Sequence, residues 1–168
     1  NVVTYPWDEE RMDPDVDAAC EIIGQTKPEI DLFGQSVFLF PTPLQEIADA
    51  AHEVGAKVMY DGAHVLGLIA GGQFQDPLRE GADVMTGSSH KTFPGSQGGF
   101  MLSNSDDEKF QRKLNNSIFP GTCSSYHLHH VAGKAVALAE FEAFGVDYAR
   151  DIIANAKALG TALAEEGF

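Results

Sequence analysis

Lys57-Val58-Met59-Tyr60-Asp61-Gly62-Ala63-His64 reads as a short β-strand that closes on an acid followed by two small residues. The residues on either side of it decide the fold. Upstream, Thr42-Pro43 offers a cap and a first-turn proline. The helix that follows carries Leu44, Ile47, Ala48 and Ala51 on one stripe and stops at Gly55. Downstream, Ala82-Asp83-Val84-Met85-Thr86 is the next strand, and Gly99 to Ser103 is another. Strands alternating with helices predict an α/β fold with a mostly parallel sheet and helices on both faces, a three-layer α/β/α sandwich.

The same logic extends outward. Asn1 to Tyr5 and Val37 to Phe40 read as strands. Asp13-Pro14-Asp15 opens a helix through Ile23. Helices are expected over 106–115, 129–144 and 148–165, the second with Ser124 or Ser125 as its cap. A chain of 168 residues, 43% hydrophobic, suits one domain with a true core. Its formal charge of −14 excludes nucleic acid and anionic membranes as partners, since both select basic surfaces. Cys20 and Cys123 form no CxxC pair, which points to a reducing, cytoplasmic setting. No apolar run is long enough to span a bilayer. The strand-like start without Met and the close inside a helical pattern read as a piece of a longer polypeptide.

Thirty residues after Asp61 comes Lys91, in Ser88-Ser89-His90-Lys91-Thr92. A lysine that forms an imine and an acid that keeps a pyridine nitrogen protonated are the protein side of pyridoxal phosphate chemistry. Both follow β-like runs and so emerge at strand ends, where open α/β sheets bind ligands. The hydroxyls of Ser88, Ser89 and Thr92, with Pro94-Gly95-Ser96-Gln97-Gly98-Gly99 behind them, make a phosphate cradle. His64 and His90 flank the two key residues as proton carriers or hydrogen-bond donors. No metal site is expected. Asp13, Asp15 and Asp17 lack the glycine and bidentate glutamate of a calcium loop, and His127, His129 and His130 lack further ligands for zinc.

With those residues in place, the sequence resembles the serine hydroxymethyltransferase family. Tyr60-Asp61-Gly62-Ala63-His64-Val65-Leu66-Gly67-Leu68-Ile69-Ala70 is similar to the family's D-x-A-H-x-x-G-L-x-A. His90-Lys91-Thr92 with Gly98-Gly99 is similar to T-H-K-T-L-x-G-P-R-G-G. Lys113-Leu114-Asn115, Phe119-Pro120-Gly121 and Ala132-Gly133-Lys134-Ala135 match K-L-N, F-P-G and A-G-K-A.

The resemblance implies a fold-type-I large domain like that of aspartate aminotransferase, with residues 1–168 as its middle part and the N-terminal segment and C-terminal small domain absent. It implies pyridoxal 5'-phosphate held covalently by Lys91, with Asp61 on the ring nitrogen. His64 and Ser36 would lie near the phenolic oxygen or substrate carboxylate, and Ser89, His90 and Gly99 would line the pocket. It also implies a homodimer or larger homo-oligomer and a small amino acid substrate. Tetrahydrofolate would serve as co-substrate for glycine/serine hydroxymethyl transfer. The stacking aromatic ring, the catalytic glutamate and tyrosine, and the carboxylate-gripping arginine would come from outside these residues. Three features depart from the family pattern. Gln97 replaces an arginine, the stretch from Ser36 to Thr42 is short, and Gly121-Thr122-Cys123-Ser124-Ser125-Tyr126 replaces a glycine-rich G-G-Q-G-G-P. They keep open a threonine aldolase-like, transaldolase-like or α-methylserine-type enzyme, or a non-catalytic relative.

Overall fold

The computed structural model describes residues 1–168. A two-residue ribbon, β1 (Trp7–Asp8) with β2 (Asp13–Pro14), precedes α1 (Val16–Thr26), β3 (Ile30–Gly34) and α2 (Leu44–Glu53). Then come β4 (Lys57–Asp61), α3 (Leu66–Ala70), β5 (Val84–His90), β6 (Pro94–Leu102), α4 (Glu108–Asn116) and α5 (Leu128–Glu165). The main sheet has the order β3-β4-β5-β6. Its first three strands are parallel and β6 runs antiparallel to β5. The fold is therefore mixed α/β on a mostly parallel sheet, as the alternation of patterns requires.

Register decides which side chains share a face. Asp31 stands beside Val58, Phe33 beside Tyr60, Tyr60 beside Met85, and Gly87 opposite Phe100. Residues two apart on a strand point the same way, so Asp31, Phe33, Val58, Tyr60, Met85, Gly87 and Ser89 share one face. That face is covered: Phe33, Val58, Tyr60 and Met85 join Ala19 and Ile23 of α1 and the whole Leu44-Ile47-Ala48-Ala51 stripe of α2 in one core. Leu66 of α3 lies against Gly87, and Phe93 packs between Phe100 and Phe141 of α5 at centroid distances of 5.5 and 4.9 Å. Each large apolar side chain so buried contributes about 1.5–3 kcal/mol. The opposite face, with Ile30, Leu32, Lys57, Met59 and Asp61, is largely open; Ile30 and Leu32 are exposed. Helices α2, α3 and α5 pack on the covered face, while Phe110 of α4 reaches the other one, where Lys57 Nζ lies 5.1 Å over its ring and Val84 is buried.

Several local expectations are corrected. Asn1 to Tyr5 forms no strand and makes no backbone–backbone hydrogen bond; it runs beside the edge strand β3 but is separated from it by a cavity. Val37 to Phe40 is not a strand either, and Val37, Leu39 and Phe40 are exposed. The strand is Ile30–Gly34, whose buried positions are Asp31 and Phe33. Helix α1 is capped by Asp15, which accepts from the Ala18 N–H, while Asp13 and Pro14 belong to the ribbon. Neither Thr42 nor the Ser124–Ser125 pair caps a helix. Thr42 instead donates its hydroxyl to Gln75 Oε1 at 3.2 Å, and α5 starts uncapped after His127. The two C-terminal helices are one. Gly145, at the expected break, is where α3's end presses on α5: a Cβ on Gly71 would lie 2.8 Å from the Gly145 carbonyl oxygen.

Candidate functional site

Asp61 is the last residue of β4, and Lys91 is the first residue after β5. Because β4 and β5 are parallel neighbours, both stand at the same edge of the sheet. Gly34 makes room for Asp61 at the end of β3. Its φ of +150° favours glycine, and a Cβ there would lie 2.7 Å from Asp61 Cβ. Asp61 Oδ1 accepts from the Ala63 N–H at 3.0 Å, which turns the chain sharply into the next loop. Both Asp61 and Lys91 are exposed and neither forms an ion pair, although they carry opposite charges.

Asp61 stands beside Thr86, and Ser88 and His90 follow on the same alternation of β5. Gly99 lies opposite Ser88 and, having no side chain, keeps that face clear. Asp61, Thr86, Ser88, His90 and Gly99 therefore line the open face at one edge. The His90 ring is held against Gly98, its Nδ1 lying 3.2 Å from the Gly98 carbonyl oxygen and 3.3 Å from the Gly98 nitrogen. Ser89 points the other way. It is fully buried and donates its hydroxyl to the Ser96 carbonyl at 2.7 Å, so it holds the β5–β6 hairpin from inside. Ser88 has the parity that Ser89 lacks, and with Thr86 it places a hydroxyl on the face of Asp61, which residue order alone did not single out. The signal was present as period-two spacing from the register with Asp61.

His64 Nδ1 bonds the carbonyl of Ser36, so the two residues meet through the Ser36 backbone and the hydroxyl is not used. A carbonyl only accepts, so Nδ1 carries the proton and Nε2 is left to accept one. Behind this contact, the Thr92 hydroxyl donates to the His64 carbonyl at 2.7 Å and accepts from the Gly67 N–H at 3.1 Å. One side chain thereby ties the loop after Asp61 to the loop of Lys91.

These residues fit pyridoxal phosphate. The edge offers an amine with no ion pair, a carboxylate with no cation, hydroxyls of matching parity and a glycine-cleared shelf. A cavity of about 760 Å³ lies elsewhere, between Asn1–Tyr5, α1 and β3. In it Asp31 is 5% exposed, with one oxygen accepting from the Tyr5 hydroxyl and the other, Oδ2, without a partner. Burial pushes its carboxyl up to about 6, against smaller opposing effects of the Leu32 N–H and His52. No group of three or more His, Cys, Asp or Glu is placed to hold a metal, and no helix is long and apolar enough to cross a membrane.

The model of the serine hydroxymethyltransferase family matches residues 1–168. The serine hydroxymethyltransferase of Methanocella arvoryzae is 54% identical over 167 residues, covering 99% of this chain and 39% of that protein. The one from Pyrococcus abyssi is 57% identical over 169 residues, with the same two coverages. Among solved structures, L-threonine transaldolase from Pseudomonas fluorescens, in an internal aldimine state, superposes with a TM-score of 0.88 at 34% identity. That match covers 97% of this chain and 37% of the transaldolase. The chain thus spans about 39% of the length of the curated relatives it matches.

Proposed function

Since the chain belongs to the serine hydroxymethyltransferase family, we propose that the protein it represents interconverts glycine and serine by hydroxymethyl transfer with tetrahydrofolate. The observation that carries this is the shared edge of Asp61 and Lys91, each without an ion-pair partner, on adjacent parallel strands. Pyridoxal phosphate, when bound, supplies the electron sink that lets the Cα–Cβ bond of a β-hydroxy amino acid break and form. Lys91 Nζ holds it covalently, and the Asp61 carboxylate keeps a ring nitrogen protonated by the charge pairing that neither residue makes within the chain. Ser88, His90 and Gly99 frame the shelf. His64, with Nδ1–H committed to Ser36, presents Nε2 as a hydrogen-bond acceptor or proton carrier for an oxygen of the cofactor or substrate.

Residues 1–168 form part of a pyridoxal-phosphate large domain in this reading. Assembly as a homodimer belongs to the same proposal, supported by the exposed Val37, Leu39 and Phe40 and the exposed Phe119, Tyr126 and Leu128. Cytoplasmic residence is part of it too, supported by two free cysteines. The test uses the full-length protein loaded with pyridoxal phosphate and mixed with glycine. A new visible absorbance band that grows only when tetrahydrofolate is added is the expected result. A band indifferent to tetrahydrofolate would favour the transaldolase-like alternative, and no cofactor uptake would favour a non-catalytic relative.

A further inference from the structure

We propose that Thr92 is a positioning residue that fixes the backbone of Lys91 against the Asp61–His64 loop, an inference that rests on the cofactor reading above. Its hydroxyl makes two bonds to main-chain groups more than twenty residues away: it donates to the His64 carbonyl and accepts from the Gly67 N–H. Gly67 lies in the first turn of α3, where N–H groups have no partner within the helix. The residue before that helix, Val65, supplies no side-chain cap. Thr92 therefore caps α3 from across the sequence.

The two loops touch so closely that the contact is backbone to backbone. A Cβ on Gly67 would lie 2.2 Å from the Thr92 carbonyl oxygen and 2.7 Å from the Phe93 nitrogen. On the other side, Phe93 is buried and wedged between Phe100 and Phe141. Lys91 is thus followed by one residue tied to the carboxylate loop and a second anchored in the core. Its own side chain forms no ion pair. Removing the Thr92 hydroxyl leaves a donor and an acceptor unpaired in a half-buried contact and frees the amine to drift relative to Asp61.

The experiment compares Thr92→Val and Thr92→Ser with the wild type in the full-length apo protein, well below its melting temperature. It follows the rate at which the visible band of bound cofactor appears at saturating pyridoxal phosphate. Intact mass after borohydride reduction counts the covalent adducts. Thr92→Val is expected to slow band formation about tenfold or more, and Thr92→Ser to restore it to within about threefold. If Thr92→Val melts earlier yet forms the adduct at the wild-type rate, Thr92 serves stability alone and the inference fails while the cofactor reading stands. If Thr92→Val does not fold, a rate for Thr92→Ser within threefold of wild type supports the inference, and a tenfold slower one overturns it. A wild type that traps no pyridoxal phosphate overturns both.

Discussion

Strands β4 and β5 lie side by side, yet their two ends treat charge in opposite ways. At the N-terminal end, Asp83 accepts from Lys57 Nζ at 2.6 Å, from the Val58 N–H at 2.8 Å and bonds His52 Nε2 at 3.0 Å. Burial alone would push this carboxyl up, but the bonds from Lys57, Val58 and His52 outweigh it and hold it below the usual carboxylate range. At the C-terminal end, Asp61, His64, His90 and Lys91 form no ion pairs, and the loops are held by main-chain contact and by Thr92. One end spends its charges on holding the strands together. The other leaves them without ion-pair partners, which is the division expected of a sheet that binds at its carboxyl edge.

Substitutions at the two ends can break or sharpen that contrast. The largest effect is expected from Gly67→Ala, because the new methyl would collide with the Thr92 carbonyl. It should cost about 3 kcal/mol in urea unfolding, and a neutral result would mean that main-chain contact does not hold the carboxyl edge. Asp83→Ala should cost about 2 kcal/mol, since the Val58 N–H and Lys57 lose their partner, discounted for the exposure of Lys57. The sign with pH follows from the lowered carboxyl. Its contribution is present above the unfolded pKa and is lost as pH falls through the folded one, so Asp83→Asn should flatten the acid limb of the stability curve.

Asp31 is the counter-case, a carboxylate buried without a cation. Its pKa, raised from 3.8 to about 6, means that its cost is absent below about pH 3.8 and fully present above about pH 6. Asp31→Val should therefore stabilise the protein by about 2 kcal/mol at pH 7.5 and by much less at pH 3.5. Equal gains at both values would show that the charge is not the cause. The smallest change in stability is expected from Asp61→Ala and Lys91→Ala, within about 0.5 kcal/mol of wild type in the apo protein. A larger loss at either would make the carboxyl edge structural like its opposite.

The edge itself was legible in the sequence because Asp61 and Lys91 each follow a run of strand-forming residues, and a parallel pairing brings such ends together. The α2 stripe was legible for the same reason, four apolar residues at helical spacing. What was hidden depended on partners distant in sequence. The charge of Asp31 masked β3, and the apolar run Val37 to Phe40 offered a false substitute that the fold leaves exposed. Choosing Ser88 over Ser89 needed the strand register. The Gly67–Thr92 contact spans 25 residues, and neither residue type announces it. The expected break before Tyr148 is absent: Gly145 leaves room for the Phe141 ring one turn earlier on the same helix, and it is the missing side chain of Gly71 that lets the end of α3 approach α5.

The shared edge is tested most directly by incubating the full-length protein with pyridoxal phosphate, reducing it with borohydride and mapping the added mass by peptide sequencing. One cofactor per chain on Lys91, lost in Lys91→Ala and bound far more weakly in Asp61→Ala, is the outcome expected here. Label on another lysine, or uptake untouched by Asp61→Ala, would contradict it.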